Sequence, residues 1–156
     1  MKPIVIVDMD GTLADVNHRL HWIRGPGKKN WKRFFEEQKH DEPNPDIVDQ
    51  VRQLAKSHEI VIVTGRPDKY QHETAKWLRK YKIPCSRIFM RPAGDHRPDY
   101  VVKKEILNQI GPQQVVLVFD DRPQVCDMYR REGLKVVEVA SDQTNQEVNE
   151  IYQKKN

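Results

Sequence analysis

Four short runs of apolar, mostly β-branched residues lie at wide intervals along the chain. They cover residues 4–7, 60–63, 115–119 and 136–139. Only Glu138 interrupts them, and none alternates regularly between apolar and polar positions. Runs of this kind are typical of strands buried on both faces of a parallel sheet. We therefore predict four strands at these positions.

The stretches that separate the strands carry apolar residues at helical spacing. Helices are predicted over residues 45–56, over residues 68–81, from about residue 99 to Gly111, and over residues 123–132 before Gly133. Alternation of strand and helix predicts the α/β class, with a doubly wound, Rossmann-like parallel sheet flanked by helices. At 156 residues, the chain is expected to form a single domain over residues 1–156.

Residues 16–45 interrupt this alternation. The segment is too long for a simple turn between strand and helix, and it contains "RGPGKKN" followed by the amphipathic stretch "WKRFFEEQ". We predict a small cap insertion after the first strand, covering one end of the sheet. The polar tail from Ser141 is predicted to hold one peripheral helix over residues 146–152.

The charge of the chain is concentrated in the insertion. The formal net charge is only +4, but residues 19–39 carry seven basic residues against Glu36 and Glu37. The basic residues are Arg19, Arg24, Lys28, Lys29, Lys32, Arg33 and Lys39. Two interpretations stay open, a solvated helix face rich in lysine and a surface for an anionic partner.

Cysteine usage and hydropathy bear on the cellular compartment in which the protein is expected. Cys85 and Cys126 are isolated, with no CxxC pair and no signal peptide before them. This is expected of a cytoplasmic protein without a zinc site. The longest apolar stretches fall far short of the ~20 residues that a membrane-spanning helix needs, so no membrane partner is expected.

Polar residues follow three of the predicted strands. Asp8 and Asp10 follow the first, "TGR" (residues 64–66) follows the second, and "DDR" (residues 120–122) follows the third. Ligands bind outside the carboxyl ends of parallel strands, so these groups are expected to converge in one crevice. Each short motif alone is common in loop capping, but their joint placement favours a site.

Carboxylates gathered in one crevice repel one another unless a multivalent cation lies among them. The predicted ligands are oxygens, and no histidine or cysteine accompanies them. Such a donor set favours Mg²⁺ over zinc.

The same residues resemble a known family. "DMDGT", "TGR", a lysine on a later helix and "DD" resemble, in this order, the four signature motifs of the haloacid dehalogenase (HAD) superfamily of phosphotransferases. Longer stretches resemble more narrowly the 3'-phosphatase domain of the bacteriophage T4 polynucleotide kinase family. These stretches are "DMDGTLADVNHR", "VTGR", "MRPAGDHRPDYVVKKEIL" and "DDRPQVCDMYRREG". The resemblance implies a Mg²⁺-dependent phosphatase that removes 3'-phosphates, or 2',3'-cyclic phosphates, from DNA or RNA ends.

The resemblance also implies roles for the aspartates. Asp8 would be the nucleophile that forms an aspartyl-phosphate. Asp10 would be the general acid and then the general base, a role that calls for a pKa nearer neutrality than usual. The implied Mg²⁺ ligands are the Asp8 side chain, the Asp10 backbone carbonyl, and Asp120 and Asp121.

Further implied residues would bind the phosphate. Thr64 and Lys103 would hold phosphoryl oxygens, and Asp99, one helical turn before Lys103, would orient that lysine. The implied substrate arginines are Arg19, Arg66, Arg91 and Arg97. Arg122 is expected instead to cap the turn or pair with Asp121, and His96 is expected on the surface.

The aromatic residues of the insertion allow two interpretations. Trp22, Trp31, Phe34 and Phe35 are expected to form a hydrophobic cluster that holds the insertion to the domain, or to stack on unpaired bases.

The resemblance leaves the substrate open. No P-loop motif is present, so no kinase domain is expected in this chain. A phosphatase of free nucleotides or other small phosphate monoesters is one alternative. A catalytically inactive module that binds nucleic acid ends is another.

Overall fold

The computed structural model describes residues 2–140, and its strands and helices alternate along the chain. The strands in these residues are β1 (Ile4–Val7), β2 (Ala14–Asp15), β3 (Glu42–Pro43), β4 (Glu59–Pro67), β5 (Arg87–Arg91), β6 (Val115–Asp120) and β7 (Val136–Glu138). The α-helices are α1 (Trp31–Glu36), α2 (Pro45–Leu54), α3 (Gln71–Lys80), α4 (Asp99–Ile110) and α5 (Pro123–Arg131). The predicted helix over residues 146–152 lies outside the described residues.

Five strands form one parallel sheet in the order β5-β4-β1-β6-β7. At its centre, Val7 at the end of β1 is in register with Ile62 of β4 and Phe119 of β6. All five strands run the same way, so their carboxyl ends lie along one edge of the sheet. Polar residues at the ends of β1, β4 and β6 are thereby brought together.

Helices cover both faces of the sheet. Val5 and Val7 of β1 belong to a buried cluster that includes residues of α2 and α3, whereas Ile4 and Ile6 belong to a second cluster with residues of α4 and α5. Successive side chains of a strand point to opposite faces, so one apolar run supplies both clusters. The predicted α/β, doubly wound architecture is confirmed.

The four predicted strands and the four helices predicted between residues 45 and 132 are confirmed, with two differences. Strand β5 was not predicted, because its sequence RIFMR has an arginine at each end and a partly exposed middle at the sheet edge. The helix expected from residue 68 begins with a short 3-10 turn (Asp68–Tyr70), and α3 starts at Gln71.

The segment between β1 and α2 is mostly helical. A 3-10 helix (Asn17–Trp22), α1 and a second 3-10 helix (Glu37–His40) follow one another, and β3 returns to pair antiparallel with β2. Its buried side chains form a separate cluster, and Trp22 and Tyr70 pack against it. The cluster consists of Val16, Leu20, Ile23, Trp31, Phe34 and Phe35. The hydrophobic-cluster interpretation of the aromatic residues is therefore confirmed.

Within residues 2–140, no helix has both the length and the apolar character that crossing a membrane would require.

Candidate active site

The turn after β1 brings its polar residues back to the sheet edge. The carbonyl of Met9 accepts hydrogen bonds from the backbone N–H groups of Thr12, Leu13 and Ala14. Gly11 adopts a φ of 81°, in the left-handed region that glycine tolerates best, so the chain reverses sharply. Thr12 is fully buried, and its hydroxyl donates to the carboxylate of Asp8 across 3.4 Å.

Three buried carboxylates meet at this edge. Ligand oxygens of Asp8, Asp120 and Asp121 all lie within 4.8 Å of one another. Lys103 reaches this group from α4, and its ammonium donates to Asp120 across 2.7 Å and to Asp8 across 3.1 Å. Both carboxylate oxygens of Asp121 are buried, and they have no hydrogen-bond partner within residues 2–140. The cluster thus holds acceptor oxygens for which the described residues provide too few donors.

The cluster of Asp8, Asp120 and Asp121 carries more negative charge than the ammonium of Lys103 can neutralise. Burial, together with the neighbouring charge of Asp120, raises the pKa of Asp8 to about 7. Burial and the charges of Asp8 and Asp120 also raise the pKa of Asp121 well above its usual range. Burial alone would lower the pKa of Lys103, but Asp120 and Asp8 outweigh it and keep the ammonium charged. An unpaired set of carboxylate oxygens fits a divalent metal cofactor.

Asp10 lies apart from this cluster. Its Oδ1 accepts hydrogen bonds from Arg19 (Nη2, 2.9 Å) and from Arg66 (Nε, 2.9 Å; Nη2, 2.6 Å). Burial alone would raise the pKa of Asp10, but Arg66 and Arg19 outweigh it and lower the pKa to about 2. The shift toward neutrality expected for a general acid is therefore not found in this arrangement, because the two guanidinium groups stabilise the charged form. Metal ligation through the Asp10 backbone carbonyl stays a prediction.

Asp99 does not make the ion pair expected with Lys103. At the start of α4, its carboxylate pairs with Arg91 and with Arg122 (Nη1, 2.8 Å). Arg122 therefore pairs with Asp99, and the pairing with Asp121 that its sequence position suggested is not formed. Burial opposes ionisation of Asp99, but Lys103, Arg122 and Arg91 lower its pKa, so it is an anion between cations.

The remaining sequence-predicted residues fall into two groups. Thr64 is buried at the site, and its hydroxyl accepts a hydrogen bond from the backbone N–H of Arg66. Arg97 is on the surface, where it pairs with Asp95 and Glu105. His96 is also exposed, as expected.

Three of the four predicted substrate arginines are buried. Arg19, Arg66 and Arg91 are at most 2% exposed, and each pairs with a carboxylate of this chain.

Two buried polar residues near these arginines were missed by the sequence analysis. Asp41 contacts Arg19 and Arg66, and Gln38 accepts a hydrogen bond from Arg66 across 2.7 Å. Both lie in the charged stretch "EEQKHDEP", where no local pattern separates a buried polar residue from an exposed one.

The buried charges form a network of three groups, which are centred on Lys103, Asp41 and Asp99. In the described part of the chain, the buried charged residues are five aspartates and five cations, and each contacts or adjoins another member. They are Asp8, Asp41, Asp99, Asp120, Asp121, Arg19, Arg66, Arg91, Lys103 and Arg122. Removing a charge from such a network leaves its partner buried and unpaired, which is costly.

A small cavity opens onto this network. Its volume is about 40 Å³, which suits a phosphoryl-sized group better than a whole nucleotide. Its lining combines polar residues of the site with three aromatic residues of the insertion. The lining residues are Asp8, Asp10, Trp31, Phe34, Phe35, Thr64, Gly65, Arg66, Asp99 and Arg122.

Comparison with known proteins agrees with this arrangement. The profile of the polynucleotide kinase PNKP phosphatase domain, within the HAD group, matches residues 2–144. A protein of Autographa californica nuclear polyhedrosis virus, named as a bifunctional polynucleotide kinase/RNA ligase, is 33% identical over 131 residues. The match covers 81% of this chain and 17% of that protein, so the chain spans about a sixth of its length.

Solved structures show the same similarity. A chain of the Pnkp1/Rnl/Hen1 RNA repair complex is 29% identical, with a TM-score of 0.72 over 88% of this chain and 42% of that chain. A haloacid dehalogenase-like hydrolase from Streptococcus pneumoniae is similar in fold alone, at 14% identity and a TM-score of 0.62 over 95% of this chain and 90% of that one.

Proposed function

This chain belongs to the polynucleotide kinase phosphatase-domain family of the HAD superfamily, and we propose that it removes 3'-phosphates from nucleic acid ends. It is a HAD-type phosphatase. The proposal adds its substrate, its cation and its covalent intermediate. The observation that carries it is the buried cluster of Asp8, Asp120 and Asp121 beside a phosphoryl-sized cavity.

The cation of the proposal is Mg²⁺, held by the side chains of Asp8, Asp120 and Asp121. The partnerless oxygens of Asp121 support this assignment, because a buried carboxylate without donors or cations is costly. When bound, Mg²⁺ would neutralise the repulsion between the carboxylates and the substrate dianion. One divalent cation and one phosphate monoester dianion also carry opposite charges of equal size, so the charge balance of the site is unchanged when both bind.

The first chemical step is attack by Asp8. A carboxylate oxygen of Asp8 forms a bond to phosphorus while the bond between phosphorus and the 3'-oxygen breaks. Asp10 also lines the cavity, and it is charged at rest because Arg66 and Arg19 lower its pKa; in this proposal it first takes a proton from solvent and then gives that proton to the departing 3'-oxygen. The products of this step are a free 3'-hydroxyl and an aspartyl-phosphate on Asp8.

The second step restores the protein. Asp10, now a carboxylate, takes a proton from a water molecule whose oxygen attacks phosphorus, and the bond between Asp8 and phosphorus breaks. Arg66 and Arg19 favour the charged form of Asp10, so the resting arrangement suits this second, basic role. Inorganic phosphate then leaves.

The insertion supplies the proposed contact with the terminal nucleoside. In this proposal, residues 16–45 act as a small cap. Trp31, Phe34 and Phe35 are among the residues that line the cavity. A nucleotide presents an anionic phosphate next to a flat, weakly polar base. In this proposal the phosphoryl group enters the cavity, and the base stacks on these aromatic side chains at its mouth. The exposed basic residues of the insertion, such as Lys28 and Lys29, would attract the rest of the strand. A cytoplasmic location, expected from the isolated cysteines, stays a prediction.

The test measures phosphate release from oligonucleotides with a 3'-phosphate or a 5'-phosphate, as DNA and as RNA, with Mg²⁺ and with a chelator. We expect release only from the 3'-phosphorylated strands, only with Mg²⁺, and not by the D8N variant. A 2',3'-cyclic end is assayed in parallel as a second substrate. The control is D49N, because Asp49 is an aspartate on the exposed part of α2, with 73% of its side chain accessible.

Two outcomes would contradict the proposal. Equal kcat/KM for a 3'-mononucleotide and a 3'-phosphorylated oligonucleotide would indicate a phosphatase of small monoesters. Full activity of the D8N variant would remove Asp8 as the nucleophile.

A further inference from the structure

Asp41 is a fully buried carboxylate at the end of the insertion, between the 3-10 helix Glu37–His40 and β3. Arg19 grips it with two hydrogen bonds, from Nε to Oδ1 and from Nη2 to Oδ2, both 2.9 Å long. This paired geometry fixes the plane of the guanidinium group. Arg66 adds a contact to Oδ2 across 3.3 Å, and His18 donates to Oδ1 across 2.6 Å.

The same two arginines hold Asp10. Arg19 uses Nη2 for Asp10 as well as for Asp41, and Arg66 uses Nη2 for both carboxylates too. Each guanidinium group therefore lies between two carboxylates, one from the insertion and one from the turn after β1. The position of Asp10 depends on Asp41 through these shared donors.

The hydrogen bonds to Asp10 all fall on one oxygen. Three donors from Arg19 and Arg66 point to Oδ1, and none of their hydrogen bonds goes to Oδ2. The Asp10 side chain is 28% exposed and lines the cavity. The arginines thus hold one oxygen firmly and leave the other oxygen available to a bound molecule.

Asp41 itself is tied to the domain. The indole N–H of Trp77, a core residue of α3, donates to the backbone carbonyl of Asp41 across 2.9 Å. Gln38, close to Asp41 in sequence, accepts hydrogen bonds from Arg66 and from the hydroxyl of Thr74. A rigid carboxylate of this kind keeps both arginines in place when the substrate, itself an anion, competes for them.

We propose that Asp41 is a positioning residue for the reaction. It holds Arg19 and Arg66 so that both arginines donate to Oδ1 of Asp10, and Oδ2 of Asp10 stays available for proton transfer to the departing oxygen. This inference rests on the proposed function, in which Asp10 transfers the proton. It implies that the insertion, which contains Asp41, contributes to the proton transfer by Asp10. Without Asp41, the arginines are free to turn to both oxygens of Asp10 or to the phosphate.

The experiment compares two substrates with the full chain and Mg²⁺. The leaving group of a 3'-phosphorylated oligonucleotide is an alkoxide, which needs a proton from Asp10. The leaving group of 4-nitrophenyl phosphate is a stabilised phenolate, which needs that proton much less. We expect D41N to lower kcat on the oligonucleotide by about 10- to 100-fold, with KM changed less than about 3-fold. On 4-nitrophenyl phosphate, kcat should fall less than about 3-fold.

Two further variants separate positioning from folding. When D41N is combined with D10N, the double variant should be no slower on the oligonucleotide than D10N alone, because Asp41 acts through Asp10. H18A removes one donor from Asp41 at a partly exposed position. H18A should lower kcat on the oligonucleotide more than kcat on 4-nitrophenyl phosphate, as D41N does, but by a smaller factor. This variant keeps the test valid if D41N does not fold.

Some results would overturn the inference. Equal loss on both substrates, or additive losses in the double variant, would indicate a general structural role for Asp41. Unchanged kcat in D41N would remove the role altogether. If the wild-type protein hydrolyses neither substrate, the proposed function fails and this inference fails with it. If the wild-type protein hydrolyses both substrates, the proposed function stands, and the D41N and H18A variants decide whether Asp41 is a positioning residue.

Discussion

Gly65 lies so close to Asp99 that a Cβ atom on Gly65 would be 2.6 Å from Oδ1 of the Asp99 carboxylate. No real side chain is accommodated at this distance, so the glycine of "TGR" leaves room for the carboxylate that pairs with Arg91 and Arg122. Asp99 belongs to a different part of the chain, and β4 and α4 bring the two residues together.

The first prediction follows from this contact. G65A should push the Asp99 carboxylate away from Arg91 and Arg122, and we expect kcat/KM on a 3'-phosphorylated oligonucleotide to fall more than about 10-fold. Steady-state kinetics measures it. The matched comparison is the pair D99A and G65A/D99A: once the carboxylate is gone, the extra methyl group should have little further effect. Additive losses in the double variant would show that the methyl group acts elsewhere.

The second prediction concerns Asp121, whose oxygens have no donor. In D121N, one carboxylate is replaced by an amide that can donate to Asp8 or Asp120, so metal-free repulsion should fall. We expect the Tm without metal to rise by about 2 to 4 °C at alkaline pH, and the increase that Mg²⁺ produces in the wild-type protein to be lost. Thermal unfolding with and without Mg²⁺ tests both parts, with D49N as the control. A full Mg²⁺-induced increase in D121N would exclude Asp121 as a ligand.

The third prediction is a pH dependence of stability in the metal-free protein. The pKa of Asp8 is raised from its ordinary value of 3.8 to about 7, so the folded state prefers the protonated carboxyl. This contribution is fully present below about pH 3.8 and is lost as the pH rises through about 7. Relative to D8N, the wild-type free energy of unfolding should therefore decline by up to about 4 kcal/mol over this range.

Urea unfolding in a chelator, at about pH 5 and about pH 8, measures the part of that decline that falls above about pH 5, which is about 3 kcal/mol. Saturating Mg²⁺ should abolish it, because a bound cation stabilises the charged carboxylate. Asp10 acts in the opposite direction: its pKa is lowered to about 2, so its contribution is present above about pH 3.8 and is lost as the pH falls through about 2. The same pH dependence in D8N and wild-type protein would contradict the assignment of the raised pKa to Asp8.

The fourth prediction tests the aromatic edge of the cavity. W31A should raise KM for a 3'-phosphorylated oligonucleotide by about 10-fold, since one base stacked on an aromatic side chain contributes about 1 to 3 kcal/mol. The control is W22A, because Trp22 packs against the same aromatic cluster but does not line the cavity. With an abasic 3'-terminal nucleotide, W31A and wild-type protein should have similar KM values. Equal effects of W31A and W22A would indicate a loss of packing and no base contact.

Much of the fold was predictable from local patterns. The apolar runs at β1, β4 and β6 need no distant partner to be recognised, because these strands lie inside the sheet, where a strand is covered on both faces and is apolar along most of its length. Both edge strands are partly exposed, but three valines surround Glu138 at β7, whereas β5 has an arginine at each end and only three apolar residues between them. In the same way, Asp8, Asp120 and Asp121 could be selected because each directly follows or ends such a run.

What the sequence by itself determined was four of the five strands of the parallel sheet, the polar residues that follow them, and hence the meeting of Asp8 with Asp120 and Asp121. Only the tertiary structure decided the partners of each charge: that Asp99 pairs with Arg91 and Arg122, and that Asp41 shares two arginines with Asp10. The physical reason is range. A buried strand can be recognised from its own sequence, because its consecutive residues are apolar. The partner of a buried charge depends on which distant segments of the chain come close together, and the residues next to that charge in the sequence do not indicate this.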